Sequence, residues 1–158
     1  MTWLGITGHQ SIPAQALGHI TTGLRTLLGG QHRPLVGYSS LAAGADQLFA
    51  RELLAAGGQL HAIIPCEGYA DTFSDQARPE YAELLNAATT TTVLEYAEPS
   101  EEAFDAAGKW IAEHCHILIA VWDGKAARGR GGTADAVAYA RQLGKDVRII
   151  WPAGVSRD

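Results

Sequence analysis

The sequence is short of charge and of the residues that cross-link a chain. Charged side chains make up 18% of its 158 residues, and its two cysteines, Cys66 and Cys115, stand apart with no Cys-x-x-Cys spacing. Isolated thiols predict neither a disulfide framework nor a zinc ribbon, and they suit a reducing compartment. No apolar run approaches the roughly 20 residues of a membrane span. The opening segment Met1-Thr2-Trp3-Leu4-Gly5 is strand-like and carries no basic leader. The expected location is therefore cytoplasmic, with no membrane partner. Low-complexity tracts, linkers and fixed-period repeats are also missing. Basic excess is lacking too: the formal net charge is −5, which argues against a general nucleic-acid surface and sets the expectation of no extended nucleic acid as partner.

What is present is an apolar share of 47% with 18 glycines set between apolar runs. That composition reads as a compact α/β chain, and residues 1–158 fit one domain large enough to bury its own core. A strand-then-helix rhythm runs along the chain. Trp3 to Ile6 forms a first strand, and Pro13 opens a helix carrying Ala16, Leu17, Ile20, Leu24 and Leu27. Leu35 to Tyr38 is a second strand, followed by a helix through Leu48, Phe49, Leu53 and Leu54 that Gly57-Gly58 stops. Leu60 to Pro65 is the third strand, the β-branched run Thr89 to Glu95 the fourth, and Val147 to Pro152 the sixth. Pro99-Ser100-Glu101-Glu102 starts a helix with acids in its first turn. The rhythm predicts an open, mainly parallel sheet of about six strands flanked by helices, joined by right-handed crossovers.

The fifth strand carries the richest loop. Ile117-Leu118-Ile119-Ala120-Val121-Trp122 ends at Asp123-Gly124, passes through Arg128-Gly129-Arg130-Gly131-Gly132 and enters an Ala-rich helix at Thr133. Glycines let a backbone approach a ligand closely, free N–H groups at a helix start favour an anion, and a guanidinium fork matches two phosphate oxygens. Gly131, Gly132, Thr133, Arg128 and Arg130 are thus candidate phosphate ligands, with Thr133 also able to cap the helix. Asp123 either contacts a ribose or only ends the strand. Ser39, Ser40 and Gly44 after the second strand are further candidates, as are Gly8 and His9 after the first. Asp46 either joins them or only complements its helix dipole. One of Tyr69 and Phe73 is a candidate to stack on a base, against a packing role for both. His114-Cys115-His116 alternates along a strand but has no third ligand at suitable spacing, so no metal and no cofactor are expected.

Ile6-Thr7-Gly8-His9, Ser39-Ser40-Leu41-Ala42-Ala43-Gly44-Ala45-Asp46-Gln47-Leu48, Ile63-Ile64-Pro65, and Ile119 to Gly124 with Gly131-Gly132-Thr133 together resemble the SLOG superfamily, in particular its stand-alone YpsA-like members. The resemblance covers nearly the whole chain. It implies a Rossmann-like nucleotide-binding fold and homo-oligomers. The superfamily includes phosphoribohydrolases of the LONELY GUY type, whose Gly-Gly-x-Gly-Thr-x-x-Glu motif sets phosphate on the glycines and a carboxylate near the ribose. Gly132-Thr133 matches the Gly-Thr, but Ala136 stands where that Glu would be. Asp135 is one residue early, about 100° round a helix. Nucleoside 2-deoxyribosyltransferases, similar in the same region, also carry a Glu after their Gly-Thr. The expected role is therefore binding or sensing of a nucleotide or nucleotide-derived metabolite. The alternative is N-glycosidic cleavage of a nucleoside monophosphate, with Asp123 or Asp135 as catalytic candidates and Glu67 or Asp46 as further stand-ins.

Overall fold

A computed structural model describes residues 1–126 and 132–157 of the chain. Six strands, β1 (Thr2–Gly8), β2 (Leu35–Ser39), β3 (Gln59–Ile64), β4 (Thr90–Val93), β5 (Ile117–Val121) and β6 (Asp146–Ile149), alternate with five α-helices. The helices are α1 (Ala14–Gly29), α2 (Ala45–Ala55), α3 (Arg78–Ala87), α4 (Glu101–His114) and α5 (Thr133–Gln142), and a short 3₁₀ turn spans Tyr69–Thr72. The strands form one sheet in the order β4-β3-β2-β1-β5-β6. Every neighbouring pair is parallel, so the fold is the open Rossmann-like α/β sheet that the strand-helix rhythm predicts.

Strand composition follows position in the sheet. All five residues of β5, Ile-Leu-Ile-Ala-Val, are buried, as are all five of β2. Strands covered on both faces need apolar side chains in both directions, hence continuous rather than alternating runs. The edges read differently. β4 is Thr-Thr-Thr-Val and mostly exposed, and β6 places Asp146 against Arg148 at 2.8 Å on its exposed edge. Polar and charged edges discourage pairing with another chain.

The helices bury one stripe each. Ala16, Ile20, Leu24 and Leu28 recur every four residues along α1 and are all buried, as an amphipathic helix requires. At α4 the Ser100 hydroxyl accepts the Ala103 N–H at 3.0 Å, the N-cap that Pro99-Ser100-Glu101-Glu102 predicts. The core cluster containing α1, α2 and α3 side chains is separate from the one joining α4 and α5 to Tyr38, Ile63 and Leu118. Among the described residues, no helix is long and apolar enough to cross a membrane. The last strand is shorter than expected. β6 ends at Ile149, and the chain then turns, with the Trp151 indole donating to the Val155 carbonyl at 2.7 Å.

A carboxyl-edge pocket as candidate functional site

The sheet grows outward from β1 through β2 and β3 to β4, then the chain returns to place β5 on the other side of β1. Loops leaving β1 and β5 therefore diverge and leave a crevice at their carboxyl ends, the usual ligand position in open parallel sheets. A pocket of about 780 Å³ lies there, lined among others by Gly8, His9, Ser40, Asp46, Gly132 and Thr133. These six come from three separate segments of the predicted set. Arg128, Arg130 and Gly131 lie outside the described residues.

The other four predicted residues do not line the pocket, and each has a local reason. Ser39 is fully buried: its hydroxyl donates to the Asp46 carbonyl at 3.2 Å and accepts the Leu41 N–H at 3.0 Å. Gly44 has φ +83°, and a Cβ there would sit 2.4 Å from the Gln10 carbonyl oxygen and 2.5 Å from that of His9. It lets the β1 loop close on the start of α2. Gly124, at φ +85°, follows Asp123 in a turn closed by the Lys125 N–H on Asp123 Oδ1 at 3.0 Å, an Asx-type turn. Asp123 itself has a side chain only 1% exposed.

Asp123 instead organises a buried trio. Its Oδ1 lies 3.2 Å from His9 Nε2, its Oδ2 lies 3.7 Å from Arg157 Nε, and Arg157 reaches His9 Nδ1 at 3.1 Å. The Asp123 backbone N–H also points at Nε2, at 3.1 Å. Burial pushes the Asp123 carboxyl up, but the Lys125 N–H, His9 and Arg157 outweigh it and hold it below the usual carboxylate range. Trp151 meets the His9 ring edge-on at 5.3 Å. The tail after β6 thereby delivers Arg157 to the pocket wall. Sequence spacing gave no warning of this residue, since nothing local marks a cation 34 residues beyond Asp123 as its partner.

The starts of α2 and α5 are among the helix starts at this edge. At α2 the Ala45 N–H donates to the His9 carbonyl at 3.1 Å, the Gln47 N–H to the Ala42 carbonyl at 3.2 Å, and the Ala42 N–H to Asp46 Oδ2 at 3.3 Å. Two of its first-turn donors are thus used internally. At α5 the N-cap is Gly132, with no side-chain cap, and Gly132, Thr133 and Ala134 line the pocket. Thr133 is the first helical residue rather than the cap, which corrects the capping role expected of it. A helical residue's backbone geometry does not turn its hydroxyl onto the N–H groups of the next turn.

Asp46 is the pocket's unusual acid. The residue is 9% exposed, and burial raises its carboxyl to about 7 against the partial opposing effect of the Ala42 N–H. Tyr69 is close enough that the two raise one another's cost of ionising. Beyond it stand Phe73, stacked on Tyr81 at 4.4 Å, and Phe104 of α4, 6.1 Å from Tyr69. Tyr69, Phe73 and Phe104 all reach the pocket. Lys125, Arg157 and the start of α5 line the same pocket. Neither catalytic candidate lines the pocket: Asp123 is enclosed, and Asp135 is exposed on α5. The pocket carboxylates among the described residues are Asp46 and Glu101. No group of three or more His, Cys, Asp or Glu suited to a metal occurs among the described residues.

This geometry has relatives among solved structures. DNA processing protein A from Streptococcus pneumoniae superposes with a TM-score of 0.75 at 21% identity, covering 99% of this chain and 53% of that one. The two share the open, parallel Rossmann-like fold. A second DNA processing protein A, from Helicobacter pylori and described for its single-stranded DNA binding mode, matches the same fold at TM-score 0.66 and 16% identity over 94% of this chain and 64% of its own. The molybdenum cofactor carrier protein of Chlamydomonas reinhardtii matches at 0.59 and 16% identity, over 94% and 75%. The chain thus spans between about half and two thirds of the length of the two DNA processing proteins. No protein-family model and no curated protein matches the sequence. One expectation is corrected by these neighbours: the exclusion of extended nucleic acid does not stand, because the same fold occurs in a protein described for its single-stranded DNA binding mode. Net charge averages the whole surface and does not report the potential at one sheet edge.

Proposed function

We propose that the carboxyl-edge pocket binds a nucleotide unit, with phosphate at the start of α5 beside Lys125 and Arg157 and the base toward Tyr69, Phe73 and Phe104. One observation carries this reading. A helix start without a side-chain cap, two cations and three aromatic side chains line the same 780 Å³ pocket. Helix N–H groups and guanidinium suit phosphate oxygens, while ring faces and edges suit a base. Arg157 is held by His9 and Asp123, so its fork is preorganised and little entropy is lost on binding. Gly8 admits close backbone approach, and Thr133 and Ser40 offer hydroxyls. Arg128, Arg130 and Gly131, next to the phosphate wall in sequence, belong to the same proposed subsite. A free nucleotide and one residue of a single strand present the same groups to it.

Titration calorimetry with AMP, ADP-ribose, NAD and a short oligothymidylate tests the reading. Binding of at least one is expected, weakened about tenfold or more by Arg157→Ala, as for loss of a charge-assisted hydrogen bond. No heat from any of the four, or equal binding by Arg157→Ala, overturns it. N-glycosidic cleavage is the second reading, favoured by the near-neutral carboxyl of Asp46 at the pocket. Free base released from nucleoside monophosphates, and lost in Asp46→Ala, would establish it.

A further inference from the structure

Asp46 carries an inference that rests on the nucleotide reading and sharpens it. Its carboxyl is nine-tenths buried, yet the residue lines the pocket. One oxygen, Oδ2, accepts the Ala42 N–H at 3.3 Å, and among the described residues no donor reaches the other. Among the described residues the buried side-chain oxygen without a hydrogen-bond partner is Asp123 Oδ2, not Asp46 Oδ1, so the free Asp46 oxygen keeps access from the pocket and can take a ligand donor in place of water. Tyr69 is its neighbour, and Phe73 and Phe104 line the same pocket. We propose that Asp46 is the base-selecting residue: Oδ1 of its carboxylate accepts an N–H of an exocyclic amino group on the bound base.

The groups around it set the direction of the pH effect. Tyr69 lies beside Asp46, Glu101 enters the pocket from α4, His9 comes from the β1 loop, and Lys125 and Arg157 also line it. Burial is the dominant influence on the carboxyl and holds it at about 7. A base amino group favours the ionised form, so binding of an amino-bearing base expels a proton from Asp46 below neutral pH. Asparagine is a stringent replacement. Its single oxygen must choose between the Ala42 N–H and the ligand, and when it stays on Ala42 the amide presents N–H groups to an N–H donor.

The probes are AMP and purine riboside 5′-monophosphate, which is AMP without its 6-amino group, with dAMP as the control for the ribose. At pH 8 the wild type is expected to bind AMP at least about tenfold more tightly than purine riboside monophosphate. At pH 5.5 that ratio should shrink toward one. The 5′-phosphate titrates near pH 6 in both ligands, so their ratio isolates the protein group. Asp46→Asn should lose the preference at every pH while keeping a cooperative melt. The ligand comparison on the wild type stands even if that variant fails to fold. A ratio near one at pH 8, a ratio insensitive to pH, or a preference that follows the 2′-hydroxyl in dAMP overturns the inference. In those cases tight, Arg157-dependent AMP binding leaves the nucleotide reading standing. Absence of AMP binding overturns the inference, and absence of binding by every nucleotide tested overturns the function reading with it.

Discussion

The starts of α2 and α5 look alike in the sequence and differ in the folded chain. Both follow buried strands, both open with glycine, and both carry an aspartate in the first turn, Asp46 and Asp135. At α2 the His9 and Ala42 carbonyls accept the Ala45 and Gln47 N–H groups and one Asp46 oxygen accepts the Ala42 N–H, so this end is a structural joint between the β1 loop and the helix. At α5, as at α2, the N-cap is a glycine without a side-chain cap, and Gly132, Thr133 and Ala134 line the pocket. A helix start becomes an anion site when the chain leaves its N–H groups unspent. The helix dipole is common to both and does not distinguish them.

Four substitutions break or sharpen that contrast. The largest effect is expected from Gly44→Val, which sets a branched side chain at φ +83° and within 2.5 Å of two backbone carbonyls. Backbone cannot yield as a flexible side chain does, so a loss of about 4 kcal/mol or more is expected from the strain and overlap together. Denaturant melts read it directly, and a variant as stable as the wild type would show that the joint is not tight.

Asp46→Asn is next. The wild-type carboxyl is raised from 3.8 to about 7 in the folded chain. Between those values the folded state holds the extra proton, so wild-type stability falls as pH rises from about 4 to about 7. The uncharged amide escapes that fall, and the variant should gain stability relative to wild type across this window, by on the order of 2–4 kcal/mol. Thermal melts at pH 4.5 and pH 8 check it; a constant difference between variant and wild type would mean that Asp46 is not titrating there.

Arg157→Ala acts at the other helix start. Phosphate affinity should drop by about 2 kcal/mol, roughly thirtyfold, and the loss should be smaller in high salt because the wild-type contact is itself screened. The same variant should also release His9, visible as a changed imidazole titration by NMR. An unaltered His9 signal would separate the guanidinium from the trio. Thr133→Val is the smallest change. The residue lines the pocket and is 8% exposed, so losing its hydroxyl should weaken binding about threefold to tenfold with little shift in the melting temperature. An unchanged affinity would remove Thr133 from the subsite.

Much of the scaffold could be read in advance because it rests on short-range pattern. The buried run Ile117 to Val121, the four-residue stripe of α1 and the Ser100 cap each carry their signal within a few residues. Individual site residues were less legible. Ser39 and Ser40 are adjacent and chemically identical, yet one is engaged behind the Asp46 carbonyl and the other lines the pocket, a difference set by strand alternation at the sheet end. Asp123 and Arg157 show the same limit at longer range. In the sequence Asp123 reads either as a ribose contact or as a strand end, and its cation partner carries no mark at all.

By itself the sequence determined the parallel sheet, the crossing helices and the meeting of polar loops at one edge, because apolar periodicity and glycine punctuation act locally and the handedness of crossovers does the rest. Tertiary structure alone decided which polar groups at that edge are already spent on one another. Burial and the arrival of distant segments set that outcome: Asp123 closes on His9 and Arg157, and Asp46 keeps an oxygen for the pocket. Hydrogen-bond capacity is exhausted by spatial neighbours, and spatial neighbours are not written in adjacent letters.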